Sequence, residues 1–390
     1  MTRRTELLDY ARFAAAMSVL AFHYLFAGIR NGKLSSLSHI PVVTDIAKYG
    51  YLGVEFFFMI SGYVIYVSAK DKSPGQFVVS RAVRLYPAFC VAMLLTASVA
   101  TFWGGPKMGV SLGQVLVNLT MAPALFGVSP VDGVYWTLLV ELTFYAAVLA
   151  VLLARLERFL DTLFLLWPVA LLLAALAGKG HWPLLGGYYP FFSAGALFAL
   201  IGERKSPTAI AGVAACLWLC VSGAIERAAA SPDFQGMGFS DAVIGAIVAL
   251  QFGFFALLHT SVVRSARLPG SRLAGALTYP IYLLHAHLGY MLLSRFASDQ
   301  NRVRCLLLVV AGILVAAWAL HAIIERRLAR HWQALFESIL GRPLDTFVAS
   351  LHRQANSALS RAVKRGSNGY GPAVGSECRS GRPPSSAPNR

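Results

Sequence analysis

Ten stretches of mainly apolar residues recur along this chain, each close to the roughly 20 residues needed for a helix to cross a bilayer. They lie near 9–29, 50–68, 85–103, 133–153, 162–178, 184–201, 208–225, 239–260, 273–294 and 305–324. Few folds accept such a pattern. Of 390 residues, 57% are apolar and 13% charged, and the mean hydropathy is +0.60. A soluble domain carries about 25% charged residues because its surface faces water. The sequence therefore predicts an all-α membrane protein, a bundle of about ten transmembrane helices, with no loop long enough for a soluble domain. A further apolar stretch, 112–126, is short and polar enough to read as a surface or re-entrant helix. The opening Met-Thr-Arg-Arg before an apolar run resembles a signal peptide. Asp9, Arg12 and the lack of a small-residue cleavage site point instead to a retained first helix.

The formal net charge of +16 raises the question of nucleic acid. No basic face with groove-reading or stacking elements accompanies it. The charge sits in short loops and in the tail from 325, which holds 11 basic and 4 acidic residues. That distribution follows the positive-inside rule and predicts both termini in the cytoplasm. Cys90, Cys216, Cys220 and Cys305 fall inside predicted spans and Cys378 in the tail, a pattern of small apolar packing rather than a disulfide framework or metal set. The chain divides into a membrane-embedded domain over 1–330, an amphipathic membrane-surface helix over 331–365, and a disordered basic tail over 366–390.

Inside spans, ionisable side chains are costly and mark function or pairing. His23, Glu55, Glu141 and His285 stand out, while His259, His287 and His321 lie nearer predicted ends. Arg12 and His23 are eleven residues apart, within 20° of a whole number of turns on one helix face, and about 16 Å apart along the axis. A permanent cation thus stands at one end of that face and an imidazole deep in the bilayer at the other, a separation comparable to the pantetheine arm of coenzyme A. Ser61 and Gly62 allow close helix approach. Arg81 and Arg84 share one turn before the third span and suit a phosphate group or a membrane anchor. Trp136 suits an interface anchor, with Glu141 about 8 Å deeper by helix rise. Pro280 would free backbone carbonyls near His285.

Arranged in order, these residues resemble acyltransferase family 3, integral membrane acyltransferases that modify bacterial surface glycans and other exported molecules. The resemblance runs over residues 6–330. Arg12 and His23 fit an Arg, ten residues, His pattern, and Phe57, Phe58, Ser61 and Gly62 fit Phe-Phe-x-x-Ser-Gly. Arg81, Arg84 and Pro87 fit Arg-Arg-x-x-Arg-x-x-Pro, with Ser80 for the first Arg. Trp136, Leu138, Glu141, Phe144 and Tyr145 fit Trp-Ser-Leu-x-x-Glu-x-x-Phe-Tyr, with Thr137 for Ser. Thr278, Tyr279, Tyr282, Leu283 and His285 fit Ser-Tyr-x-x-Tyr-Leu-x-His, with Thr278 for Ser, and Glu325 and Arg326 fit the terminal Glu-Arg.

The resemblance implies a multi-pass protein of the bacterial cytoplasmic membrane, in the form without a fused esterase-like domain. It implies an acyl donor, acyl-CoA and foremost acetyl-CoA, and an acceptor hydroxyl on a glycan or lipid-linked saccharide. His23 is expected as general base or transient acyl carrier, and Glu141 as the group that orients or balances an imidazole. Arg12, Arg81 and Arg84 are expected on the CoA phosphates, and Trp136, Tyr282 and His285 on the substrate, with no metal. The alternative class is a secondary transporter or flippase using His and Glu as a proton relay. A membrane scaffold would explain the spans but not the buried ionisable set.

Overall fold

The computed structural model describes residues 6–231, 234–260, 263, 267–351, 353 and 354, and among these the secondary structure is helical throughout. Helices are what a lipid-embedded chain must form, since each backbone donor and acceptor is satisfied within its own segment. Seven helices are long and apolar enough to cross a membrane: α1 (Glu6–Arg30), α2 (Pro41–Ala69), α3 (Pro74–Trp103), α4 (Gly133–Leu153), α5 (Glu157–Leu176), α7 (Pro207–Ala230) and α11 (Arg302–Arg327). The remaining long elements are α6 (Tyr189–Arg204), α8 (Asp241–Leu257), α9 (Ser271–Leu284) and α10 (Ala286–Phe296). Three of the ten expected spans therefore appear in shorter form. Residues 184–201 give the 16-residue α6, 239–260 the 17-residue α8, and 273–294 two helices of 14 and 11 residues. The 112–126 stretch forms only a helix at Leu112–Asn118 and a 3-10 turn at Pro123–Phe126, too short to cross.

Local signals account for the starts. Ser73 and Gln76 form a reciprocal capping box ahead of Pro74, so α3 begins with its first donors satisfied and Pro where no N–H is required. At α7, Ser206 caps the start by accepting from the Ala209 N–H, and Pro207 again takes the first helical position.

Packing then sorts the helices. Every residue of α6 from Tyr189 to Leu200 is buried, and α6 lies against α2 almost backbone to backbone. A Cβ on Gly62 would stand 1.9 Å from the Phe192 carbonyl oxygen, and one on Gly195 would stand 1.9 Å from that of Met59. The close approach expected at Ser61-Gly62 is thus realised, and only glycine permits it. By contrast α5 exposes Leu166 and Leu173, and α11 exposes Leu307, Val315 and Trp318. Such apolar outward faces suit lipid.

Two irregularities position the site. The first helix leaves α geometry at His23 and runs as a π-helical turn through Ala27, a distortion common at functional positions. Pro280 lies inside α9, but the interruption falls five residues later, at His285 between α9 and α10. Side chains from other elements serve the backbone there. The Tyr135 hydroxyl donates to the Leu283 carbonyl at 3.0 Å, the Tyr24 hydroxyl to the His285 carbonyl at 2.7 Å, and Asp132 accepts from the His287 N–H at 2.8 Å. Buried backbone groups require such partners.

Beyond α11, a helix at Ala329–Phe336 continues into a π-helical turn at Glu337–Gly341. The chain divides between residues 343 and 344 into two compact units. Helical structure continues through the described part of 331–365, and the expected tail over 366–390 lies outside the described residues.

Candidate active site

Two neighbouring cavities run through the first unit. One, of about 370 Å³, is lined by Arg12, Ser61, Arg81, Arg84, Glu141, Tyr145 and Tyr279 among others. The second, of about 380 Å³, is lined by His23, Lys33, Glu55, Asp132, Trp136, Arg227, His287 and Tyr290 among others. Val54 and Tyr282 belong to both walls, so the cavities adjoin across these two side chains.

The Arg12 cavity brings three separate motifs together. Arg12 comes from α1, Arg81 and Arg84 from α3, and Glu141 from α4. Arg81 stacks 5.8 Å from the Tyr145 ring centroid and donates from Nε to Ser80 Oγ at 3.3 Å. Ser80, where the resembled motif has Arg, therefore steadies its neighbour. Arg84 lies 5.5 Å from the Tyr279 ring and 3.9 Å from Glu325, whose other oxygen holds His321 at 2.7 Å. Arg12 Nε is buried without a hydrogen-bond partner. Three guanidinium groups facing one lining carboxylate, with one nitrogen left unmatched, make a site for an anion with several oxygens.

Glu141 is not where the sequence reading sets it. The expectation was a carboxylate beside an imidazole. Its Oε1 instead accepts from Ser61 Oγ at 2.5 Å and from the Tyr145 hydroxyl, inside the Arg12 cavity. The reason is rotational: the α4 face that carries Glu141 meets α2 at Ser61, and His23 opens into the other chamber.

His23 has a different companion. Its Nδ1 lies 2.5 Å from the Tyr290 hydroxyl, and its ring stands edge-on to His285 with centroids 4.9 Å apart. Nε2 has no hydrogen-bond partner among the described residues. His285 is buried, donates from Nδ1 to the Tyr282 carbonyl at 2.9 Å, and leaves Nε2 without a hydrogen-bond partner. Tyr282 itself is bonded through its hydroxyl to Thr137 Oγ1 at 2.7 Å and to the Val134 carbonyl at 2.9 Å. Thr137, in place of the motif's Ser, thus fixes the side chain that stands between the chambers. Trp136 lines the His23 cavity, its ring 5.0 Å from that of Tyr188.

Five residues of this cavity escaped the sequence reading as candidates. Tyr290 carries no motif position. Asp132 accepts from the backbone N–H groups of Val134 and His287, which joins the start of α4 to the broken helix. His287 donates from Nδ1 to the Val131 carbonyl and receives Lys33 Nζ at Nε2, both at 2.9 Å. Arg227 pairs with Glu55 at 2.6 Å. The usable signals were modest: an acid four residues before Trp136, and a second His two residues after His285. Lys33 and Arg227 read as loop charges, and no spacing relates either to His23.

Among the described residues no cluster of three or more His, Cys, Asp or Glu could hold a metal ion, and Cys90, Cys216, Cys220 and Cys305 are free. A family model described as an acyltransferase domain matches residues 6–322. The chain is 27% identical over 266 residues to the exopolysaccharide production protein ExoZ of Rhizobium meliloti (strain 1021), covering 60% of this chain and 75% of that one. It is 28% identical over 270 residues to nodulation protein 10 of Rhizobium leguminosarum bv. viciae, covering 60% and 70% respectively. No solved structure matches significantly.

Proposed function

The chain belongs to this acyltransferase family, and from that premise we propose that it transfers an acyl group, foremost acetyl, from acyl-CoA to a hydroxyl of an envelope or exported glycan. The observation that carries the reading is the adjoining pair of cavities, one cationic and one containing an accessible imidazole. Arg12, Arg81 and Arg84 hold the CoA phosphates, and the acyl-bearing arm extends past Val54 and Tyr282 toward His23. The ExoZ match supports a polysaccharide acceptor, since that relative is named for exopolysaccharide production.

In this reading His23 Nε2 takes the proton from the acceptor hydroxyl. The freed oxygen attacks the thioester carbonyl, the carbon–sulfur bond breaks, and the proton passes to the departing CoA sulfur. For Nε2 to accept, Nδ1 must carry the ring hydrogen and donate to the Tyr290 oxygen, so the 2.5 Å contact selects the working tautomer. Tyr290 takes the orienting role first expected of Glu141. Trp136, Tyr282 and His285 frame the acceptor. The protein works in the bacterial cytoplasmic membrane, where α6, α8 and the α9–α10 pair complete ten spans and leave both termini inside. Reporter fusions after Lys205 and after Arg330 should both signal cytoplasm, and an external signal at the second would break that topology.

The function is tested in liposomes holding the purified protein and labelled acetyl-CoA, with de-O-acylated envelope polysaccharide outside. The expected result is free CoA together with label on the polysaccharide. Neither product above the rate of empty liposomes would end the reading.

A further inference from the structure

The transfer chemistry leaves one well-built part of the His23 cavity unused. Glu55 is 1% exposed, its Oε1 accepts from Arg227 Nη2 at 2.6 Å, and its Oε2 has no hydrogen-bond partner. Four residues earlier on the same chain segment, the Tyr51 hydroxyl is likewise buried and unmatched, and it lines the same cavity. Polar groups withdrawn from water without partners are destabilising. Two such orphans in one cavity wall point to a ligand that supplies hydroxyl groups.

The surroundings define that ligand further. Arg227 is immobilised, with Nη1 donating to the Gly187 carbonyl at 3.0 Å and its guanidinium 4.4 Å from the Tyr188 ring centroid. The Tyr188 ring in turn meets Trp136, which is 42% exposed and lines the cavity. An aromatic surface therefore stands beside a rigidly held carboxylate. A pyranose matches both, having an apolar C–H face and a rim of hydroxyl donors.

Charge selects among pyranoses. The described lining of this cavity includes two acids, Glu55 and Asp132, and two permanent bases, Lys33 and Arg227, which cancel. Glu55 pairs with Arg227, while Asp132 is occupied by backbone donors and Lys33 by His287. Among the described lining residues the charges sum to zero, so a ligand anion would find no surplus of cations there, and an unmatched charge is strongly disfavoured away from water. The Arg12 cavity, with its surplus of cations, has the opposite character.

We infer that Glu55, held by Arg227, together with the Trp136–Tyr188 surface, forms a subsite for the neutral pyranose unit that bears the hydroxyl to be acylated. Glu55 accepts a hydrogen bond from a neighbouring hydroxyl of that ring and is a positioning residue for the acceptor. The inference rests on the acyl-transfer reading and adds to it the class of sugar. Sites built to bond a substrate hydroxyl discriminate strongly, because a ligand lacking it leaves the protein group unpaired.

The test uses the reconstituted full chain with labelled acetyl-CoA and two acceptors: de-O-acylated envelope polysaccharide, and the same material after carbodiimide–borohydride reduction of its carboxyl groups to alcohols. The wild-type protein should acylate both. The double variant Glu55→Gln, Arg227→Gln leaves the wall's net charge unchanged, and should raise the KM for either polysaccharide at least tenfold while the Kd for acetyl-CoA stays unchanged. Loss of transfer after carboxyl reduction would overturn the inference, because the protein would then be reading an anion. An unchanged polysaccharide KM in the double variant would overturn it too. If the double variant does not assemble, Glu55→Asp retains the charge but withdraws the carboxylate by one methylene, and the same criterion of KM applies to it. Failure of the wild-type protein to acylate even the untreated polysaccharide strikes the acyl-transfer reading instead.

Discussion

The Arg12 cavity sets three guanidinium groups against one lining carboxylate, whereas the His23 cavity sets two carboxylates against two permanent cations. The two are nearly equal in volume and share Val54 and Tyr282 in their walls. In the proposed reaction, their difference in charge would divide the labour between the two substrates. On that reading the three guanidinium groups take the polyanionic donor, and the balanced chamber with an aromatic wall takes the neutral sugar. The His23 imidazole stands on the balanced side, where Glu55 and Asp132 offset Arg227 and Lys33; a proton gained there in the proposed transfer meets less repulsion than it would among three guanidinium groups. Geometry of this kind also separates the readouts: changes in one chamber should move one substrate's constants and leave the other's alone.

The largest expected effect follows from removing the base. His23→Gln should lower kcat by about 10²–10⁴-fold, the usual loss for a general base, with acetyl-CoA binding intact. Retention of more than a tenth of wild-type turnover, well outside that range, would move the chemistry to His285. On the cationic side, Arg12→Ala should raise the KM for acetyl-CoA about 10- to 100-fold, as expected for a charge-assisted hydrogen bond, without moving the polysaccharide KM. Arg12→Lys should recover only part of the loss, because the planar fork is gone. An equal shift in both constants would mean that the chambers do not act separately.

Smaller effects sharpen the assignment of Tyr290 and Glu141. Tyr290→Phe removes the neutral hydrogen bond to His23 and should lower kcat about 3- to 10-fold, with a displaced pH–rate profile and unchanged KM values. A purely structural Tyr290 would leave the profile in place. Glu141→Gln should act on the other side, altering the KM for acetyl-CoA by less than about tenfold and leaving the pH–rate profile alone. A shifted profile would return Glu141 to the imidazole. Deleting residues 366–390 should change neither expression nor turnover measurably, since so polar a sequence has little apolar surface to bury. A large loss would make it part of the donor entrance.

Much of this was legible along the chain. Long apolar runs can satisfy their backbones in lipid only as helices, so the helical class and most element positions follow from composition and length. Arg12, His23, Arg81, Arg84 and Glu141 were also visible, because ionisable groups in or beside apolar runs are conspicuous. The misjudged lengths have a physical source. Hydropathy cannot distinguish α6, enclosed by protein from Tyr189 to Leu200, from a helix bathed in lipid, and it registers neither the break at His285 nor its rescue by Tyr24, Tyr135 and Asp132.

What the sequence by itself determined was the set of chemically capable side chains and the helices that carry them, since both depend on local pattern. What only the tertiary structure decided was the pairing: Glu141 with Ser61 and Tyr145, His23 with Tyr290, and Glu55 with Arg227, 172 residues away. Hydrogen bonds act over about 3 Å, whereas residues that meet across helices can lie anywhere in the chain. The rotation of each helix about its axis settles which side chains face which chamber, and that rotation comes from packing, as where Gly62 and Gly195 let α2 and α6 touch.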